Sequence, residues 1–176
     1  MATHRFSPDC PLRMNIRIPL LVLVFSVSPR IYADTAIDLS RFQIKVEKGA
    51  QAHAEVVDDP ADSQKALMVT VSKPGPEFWS VELRAPGFQF QAAKHYEIKF
   101  RAKSAPSGYV YFVAEKDSGN QESIALGTTL KIPEQWTDCT IVFDVNQNGD
   151  PGRFTISGLS VEPSSFQFRD FELIEK

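Results

Sequence analysis

Cysteine and histidine are scarce in this chain of 176 residues, which contains two cysteines and three histidines. The chain has no Cys-x-x-Cys pair, and neither His53 nor His95 has a second Cys or His at the spacing of a zinc site. Cys139 is the only cysteine beyond residue 33, so an exported domain starting there would have no intrachain disulfide. We therefore expect no cofactor, no metal, and a domain stabilised by its hydrophobic core.

A basic surface is also lacking. The chain carries 19 basic and 22 acidic residues, and no basic run interrupts the sequence. Nucleic acids and anionic membranes both require a positive footprint, so neither is an expected partner. The sequence contains no G-x-S-x-G elbow, no H-E-x-x-H and no Gly-rich phosphate loop, which argues against an enzyme.

Long hydrophobic runs are limited to residues 18–27, which are uncharged and apolar, follow Arg13 and Arg17, and precede the small residue Ala33. A run of about ten residues suits the hydrophobic region of a signal peptide and is too short to span a bilayer, which needs roughly 20. We predict a cleavable signal peptide over residues 1–33, with translation starting at Met1 or Met14, and one domain over residues 34–176. That domain would be secreted or periplasmic and free of the membrane; a buried strand or an uncleaved anchor is the alternative.

Helical periodicity is nearly absent, and short segments of alternating apolar and polar residues recur instead. Turn residues such as those at 74–76 and 148–150 separate the segments. The predicted strands cover residues 42–46, 52–57, 66–72, 78–84, 96–103, 109–115, 123–130, 137–145, 153–157 and 166–174. Many short strands without helices between them predict an all-β fold, a sandwich or a barrel.

Alternation also assigns side chains to faces, because neighbours along a strand point to opposite sides. We predict that Trp79, Val81 and Leu83 point into the core. For Trp79 there is an alternative, because it follows the turn at residues 74–76 and a ring at the end of a strand can line a site at the loop rim. The predicted outward face consists of Phe78, Ser80, Glu82, Arg84, Glu97, Lys99, Arg101, Tyr109, Tyr111 and Asp144. Aromatic rings with charged groups on one face suit sugars, whose C–H faces stack on rings and whose hydroxyls form hydrogen bonds. A solvated face with cross-strand ion pairs is equally compatible with the pattern.

Two local patterns have competing interpretations. Glu82 and Glu97, if on neighbouring strands, would give the carboxylate pair of a glycosidase, but the basic residues beside them indicate ordinary ion pairing. Residues 144–150 match the first half of a calcium loop, but the twelfth position is Thr155 instead of Glu. This segment therefore favours an Asn-Gly hairpin turn.

Three stretches carry a family resemblance: residues 96–103 (YEIKFRAK), residues 136–143 (WTDCTIVF) and the closing residues 166–173 (FQFRDFEL). From about residue 66 to residue 175 the chain resembles carbohydrate-binding modules with the galactose-binding-like jelly-roll fold, the superfamily of cellulose- and xylan-binding modules. The resemblance implies an antiparallel β-sandwich of jelly-roll type. It also implies a non-catalytic module that binds a polysaccharide or oligosaccharide on a sheet face or at the loop rim.

The chain departs from that family at a position tied to calcium. The family's closing strand usually has Asp where Arg169 stands, and that Asp helps to bind a structural calcium ion. A guanidinium in place of a carboxylate argues against this ion, and Asp170 should point to the other side of the strand. Trp136 matches the family's packing tryptophan, so we expect it in the core.

The predicted ligand-binding residues are Phe78, Trp79, Glu82, Arg84, Lys99, Arg101, Tyr109 and Tyr111. The two tyrosines would stack on sugar rings, the four charged side chains would bind hydroxyls, and Phe78 or Trp79 would add an apolar edge. A separate carbohydrate-active or cell-surface protein is a further expected partner. The alternative is a structural or protein-interaction sandwich of a periplasmic or cell-surface assembly, with no sugar site.

Overall fold

The computed structural model describes residues 35–176, and the predicted signal peptide, residues 1–33, lies outside them. The described chain contains one short 3-10 helix, Leu39–Arg41, and no helix there is long and apolar enough to cross a membrane. The strands are β1 (Thr35–Ala36), β2 (Gln43–Val46), β3 (Gln51–Asp58), β4 (Lys65–Lys73), β5 (Val81–Phe90), β6 (His95–Ala105), β7 (Gly108–Lys116), β8 (Thr128–Ile132), β9 (Thr137–Asp144), β10 (Gly149–Ser157) and β11 (Ser164–Glu175).

The strands form two antiparallel sheets. Sheet A has the order β3–β4–β11–β6–β9, with β1 paired to β11, and sheet B has the order β2–β5–β10–β7–β8. From β4 to β7 and again from β8 to β11, each connection carries the chain from one sheet to the other. This pattern of crossings is that of a jelly-roll sandwich, so the predicted fold class is confirmed.

Alternating side chains from both sheets meet in one aromatic core. Phe154 of sheet B and Phe100 and Phe168 of sheet A are buried there, as is Tyr96, whose hydroxyl accepts a hydrogen bond of 3.1 Å from the Gln91 N–H. Burying a side chain such as Phe contributes about 1.5–3 kcal/mol. A core of this kind stabilises the domain without a disulfide, and Cys139 is a free, buried thiol.

Most predicted strands are found within one to three residues of their expected bounds, and three differ more. β5 begins at Val81 instead of residue 78 and runs on to Phe90; β8 begins only at Thr128. β10 begins at Gly149, inside the predicted Asn-Gly turn. That turn was expected to close a hairpin, but β9 belongs to sheet A and β10 to sheet B, so residues 145–148 connect the two sheets instead.

Trp136 lies outside the core, contrary to expectation, in a charged cluster on the outer face of sheet A. Its half-buried ring packs against cations, with the Arg169 guanidinium carbon 4.3 Å and the Lys103 Nζ 4.7 Å from its centroid. Its indole N–H donates a 2.5 Å hydrogen bond to Asp59, which is buried just after β3. The ring therefore covers a buried ion-pair network instead of filling the sandwich.

Arg169 stands at the centre of this cluster and is 1% exposed. Its Nη1 lies 2.9 Å from Asp62 and 3.9 Å from Asp59, and its Nε lies 3.5 Å from Asp170. The expectation that Asp170 points away from Arg169 fails, because the register shifts after Arg169 and Asp170 adopts a left-handed conformation (φ 57°). The guanidinium thus supplies the positive charge that these three carboxylates require.

Candidate functional site

Four aromatic side chains lie at one end of sheet B. Phe78 and Trp79 belong to the loop before β5, and Tyr109 and Tyr111 to β7. The Phe78 ring meets Trp79 and Tyr111 edge to face, at centroid distances of 5.0 and 6.2 Å. Phe78, Trp79 and Tyr109 are 50%, 37% and 60% exposed, and Tyr111 is half-buried. We call Phe78, Trp79, Tyr109 and Tyr111 the aromatic patch.

The prediction that Trp79 points into the core is wrong. The strand that carries Val81 and Leu83 inward begins only at Val81, so strand alternation does not extend back to Trp79. The structure instead exposes the ring beside Phe78, where a ligand in solution can reach it. The alternation did place Val81 and Leu83 correctly.

Hydrogen bonds hold the loop that carries Phe78. The Phe78 carbonyl accepts a hydrogen bond from the Gly158 N–H (2.9 Å), and the Glu77 carbonyl accepts one from the Ser160 hydroxyl (2.8 Å). Within the loop the Ser80 N–H donates to the Glu77 carbonyl, and the Glu77 N–H donates to the Ser80 hydroxyl. The loop is therefore fixed both internally and to the loop between β10 and β11, which reduces the entropy lost when a ligand binds.

Glu82 and Arg84 lie on the outer face of sheet B, as predicted. The Arg84 Nε and Nη2 donate to one Glu82 oxygen at 3.1 and 2.5 Å, and Lys45 Nζ lies 3.7 Å from the same atom. β5 and β7 flank β10, so Glu82 and Tyr111 are about 10 Å apart across it. Glu82 is buried and Arg84 is half-buried, so of the two only the guanidinium is open to a ligand on this face.

The middle of that face is closed to solvent. Arg153, Thr155 and Ser157 point outward from β10, but all three are buried. Glu115 accepts hydrogen bonds from Arg153 at 2.9 and 3.0 Å and from the Thr155 hydroxyl at 2.6 Å. Because these groups satisfy one another, the open part of the face is its end, where the aromatic patch lies.

Gly127 belongs to the candidate site through its contact with Tyr111, although the local sequence does not indicate it. It lies just before β8, and a Cβ built on it would overlap the hydroxyl and ring of Tyr111. The tyrosine ring therefore rests directly against the Gly127 backbone. A glycine next to two threonines gave no local signal of this long-range contact.

Lys99 and Arg101 do not share a face with the other predicted site residues. They lie on β6, which belongs to sheet A, whereas β5 and β7 belong to sheet B. Lys99 pairs with Glu97 (3.0 Å) and Arg101 with Asp138 (3.1 Å) on the opposite side of the sandwich. The prediction of one outward face was wrong because alternation gives the side of a strand and does not say which sheet the strand joins.

The separation of the two sheets also bears on the carboxylate pair that a glycosidase would need. Glu82 lies on sheet B and Glu97 on sheet A, so the two carboxylates do not face one another. Asp144 also lies on sheet A, where its carboxylate contacts His95 at 2.5 Å. Among residues 35–176, no group of three or more His, Cys, Asp or Glu side chains is arranged to hold a metal ion.

The chain is similar to known proteins in structure. No protein-family model matches the chain, and no curated protein matches it in sequence. A CBM4 structure matches with a TM-score of 0.65 and 15% identity, covering 77% of this chain and 86% of its own. A family 11 carbohydrate-binding module from Clostridium thermocellum, in complex with a β-1,3-1,4-mixed-linked tetrasaccharide, matches with a TM-score of 0.60 and 13% identity, covering 80% and 95%.

Enzymes that contain such a domain also match. An arabinose-bound α-L-arabinofuranosidase has a TM-score of 0.61 and 13% identity; the match covers 82% of this chain and 25% of the arabinofuranosidase chain. Residues 35–176 therefore correspond to a part of that enzyme and to nearly all of the separate modules. The chain has the jelly-roll β-sandwich fold of carbohydrate-binding modules.

Proposed function

We propose that the domain is an exported, non-catalytic carbohydrate-binding module whose aromatic patch binds a polysaccharide or oligosaccharide. The observation that carries the proposal is the group of four rings at the end of sheet B. Three of these rings are exposed, and Phe78 contacts Trp79 and Tyr111 edge to face. A contiguous group of exposed apolar side chains marks a binding surface, whereas single exposed hydrophobic residues are ordinary. The shared fold of carbohydrate-binding modules supports the same conclusion.

Binding would combine stacking with hydrogen bonds. The faces of Tyr109 and Trp79 offer apolar surface to the C–H face of a sugar ring. Arg84 is half-buried on the same face and can donate to hydroxyl groups of the ligand, while the buried Glu82 holds the guanidinium in place. Glu82 also balances the charge of Arg84, which suits an uncharged hydroxyl-rich ligand.

A second candidate is a protein-interaction or structural sandwich of a periplasmic or cell-surface assembly. The closed middle of the sheet B face favours it, because Arg153, Glu115 and Thr155 bind one another instead of facing an open cleft. Such a domain would use the aromatic patch for a protein partner, which includes a separate carbohydrate-active protein.

The test is affinity electrophoresis of the purified protein through gels containing mixed-linked β-1,3-1,4-glucan, xylan, arabinan, galactomannan or hydroxyethylcellulose. We expect one glycan to retard the protein, and Phe78→Ala/Trp79→Ala and Tyr109→Ala/Tyr111→Ala to abolish the retardation. Lys99→Ala/Arg101→Ala is the matched control, because both side chains lie on the other sheet and it should bind as the wild type does.

Each result discriminates between the candidates. Retardation lost in both aromatic variants but kept in the control supports the module and its site. If the glycan still retards both aromatic variants, the binding site lies outside the aromatic patch. A folded protein that no glycan retards would contradict the proposal and favour the interaction domain.

Export is a separate part of the proposal. We expect expression of the whole chain in a bacterial host to yield a periplasmic or secreted product whose first residue is Asp34. Mass spectrometry of the intact product checks this, and a product that retains residues 1–33 would contradict it.

A further inference from the structure

Two cavities lie side by side beyond the end of the sheet B face, where three loops meet. The first cavity, of about 180 Å³, lies between the β6–β7 turn and the β10–β11 loop; its walls include Pro106, Tyr109 and Val161. The second, of about 210 Å³, lies between the β4–β5 and β10–β11 loops; its walls include Phe78 and Val161. The cavities therefore share Val161 as a wall, and each has one ring of the aromatic patch as another.

The first cavity is preformed. Phe166, a buried core residue, is part of its lining. The β6–β7 turn on one side is held by the Ser104 hydroxyl, which accepts from the Gly108 N–H (3.1 Å) and donates to the Ile132 carbonyl (3.0 Å). The β10–β11 loop on the other side is tied to the Phe78 loop by the Gly158 and Ser160 hydrogen bonds.

Its chemistry suits one sugar ring. The lining is mainly apolar and includes Tyr109, while Ser107, Glu162 and Ser164 add polar groups. Pockets for drug-sized ligands occupy about 300–1,000 Å³, so a cavity of this size holds a single ring. An apolar wall with a polar edge matches the C–H face and the hydroxyl edge of one sugar.

The position of the cavity limits how a chain can enter. Tyr109 belongs both to the aromatic patch and to the wall of the first cavity. A glycan that lies across the patch can place its next ring in the cavity, whose volume of about 180 Å³ accommodates one ring and whose lining includes the buried core residue Phe166. Resting on the proposed function, we propose that the first cavity takes a terminal sugar, so that the domain recognises chain ends or branch ends instead of internal segments.

Binding stoichiometry tests this. The probes are the polysaccharide that retards the protein and oligosaccharides of two and six sugars made from it by partial hydrolysis, titrated calorimetrically into the full-length exported protein. Recognition of ends predicts one protein per unbranched chain for the polysaccharide as for the short oligosaccharides, because each chain has one such end. Several proteins per unbranched polysaccharide chain would overturn the inference and leave the proposed function intact.

Variants locate the sugar. Gly108→Val places its Cβ within 3.2 Å of Phe166 and narrows the first cavity, and Val161→Arg extends a long side chain from an exposed position across its mouth. We expect each to weaken binding of the disaccharide at least tenfold. Val142→Arg is the matched control, because Val161 and Val142 are exposed valines (73% and 62%) and Val142 lies on sheet A.

The outcomes separate the two proposals. If Gly108→Val fails to fold, Val161→Arg alone decides, since its side chain is exposed. Disaccharide binding that Val161→Arg leaves unchanged, or that Val142→Arg abolishes, would overturn the terminal-sugar site while glycan retardation still supports the module. A protein that no polysaccharide retards would overturn the proposed function itself.

Discussion

The ring of Phe78 meets the ring of Tyr111 edge to face, with centroids 6.2 Å apart, although the two residues come from a loop and a strand that are not adjacent in the sequence. Edge-to-face pairs contribute about 0.5–1.5 kcal/mol beyond the area they bury. This contact couples the position of the Phe78 ring to that of the Tyr111 ring.

From this contact we predict coupling between the two residues in glycan binding. Phe78→Ala and Tyr111→Ala should each weaken binding about five- to tenfold, and the double variant should lose much less than the product of the two, since either change already disrupts the pair. Calorimetric titration of the four proteins with the retarding glycan measures the coupling. Losses that simply multiply would show that the two rings act independently.

A substitution at Gly127 tests the role of Tyr111 without changing any aromatic side chain. Gly127→Ala should displace Tyr111, because the added Cβ would overlap the tyrosine hydroxyl and ring, and glycan binding should fall by an amount similar to Tyr111→Ala. Gly119→Ala is the control, since a Cβ there meets no atom within 4 Å; it should bind the glycan as the wild type does, even if its positive φ (63°), which Gly127 lacks, lowers its stability. Wild-type binding by Gly127→Ala would mean that Tyr111 is not part of the site.

The strands could be predicted from the sequence, whereas their partners could not. Alternation is a local property, so the inward positions of Val81, Leu83 and Phe100 follow from neighbouring residues. Sheet membership depends on contacts far apart in sequence. Alternation therefore predicts correctly that Lys99 and Arg101 point outward from β6, but it does not show that β6 belongs to sheet A.

Trp79, Trp136 and Gly127 show a second limit. Strand alternation predicts that the Trp79 ring is in the core, and the family resemblance predicts the same for Trp136. The structure places Trp79 on a loop and Trp136 over Arg169, because a hydrogen-bonded loop and a buried ion pair decide these positions. Neither the loop's bonds nor the Gly127 contact leaves a pattern in the local sequence.

Acid stability offers a test of the charged cluster beside Trp136. Hydrogen bonds from the Ala61 N–H and the Trp136 indole lower the pKa of Asp59 from 3.8 to about 2. Because the folded-state pKa lies below the unfolded value, the carboxylate adds stability that is fully present above about pH 4 and is lost as the pH falls towards 2. Asp59→Asn should flatten the dependence of the unfolding temperature on pH across that window.

Thermal unfolding of both proteins at several values between pH 5 and pH 2 measures this difference. The variant should be less stable than the wild type near pH 5, and the gap should close as the pH approaches 2. Two curves that run parallel across the window would contradict the role assigned to Asp59.

Arg169 and Arg101 provide a matched pair for the ion-pair network, since both guanidinium groups approach the Trp136 ring, at 4.3 and 5.9 Å. Arg169 is buried between Asp59 and Asp62, whereas Arg101 pairs with Asp138, whose side chain is 88% exposed. Removing one partner of a buried pair costs roughly 3–5 kcal/mol, and an exposed pair is worth about 1 kcal/mol or less. In urea denaturation we therefore expect Arg169→Leu to lose several times more unfolding free energy than Arg101→Leu. Equal losses would mean that Asp59 and Asp62 do not need the guanidinium, and that Trp136 packs equally well without it.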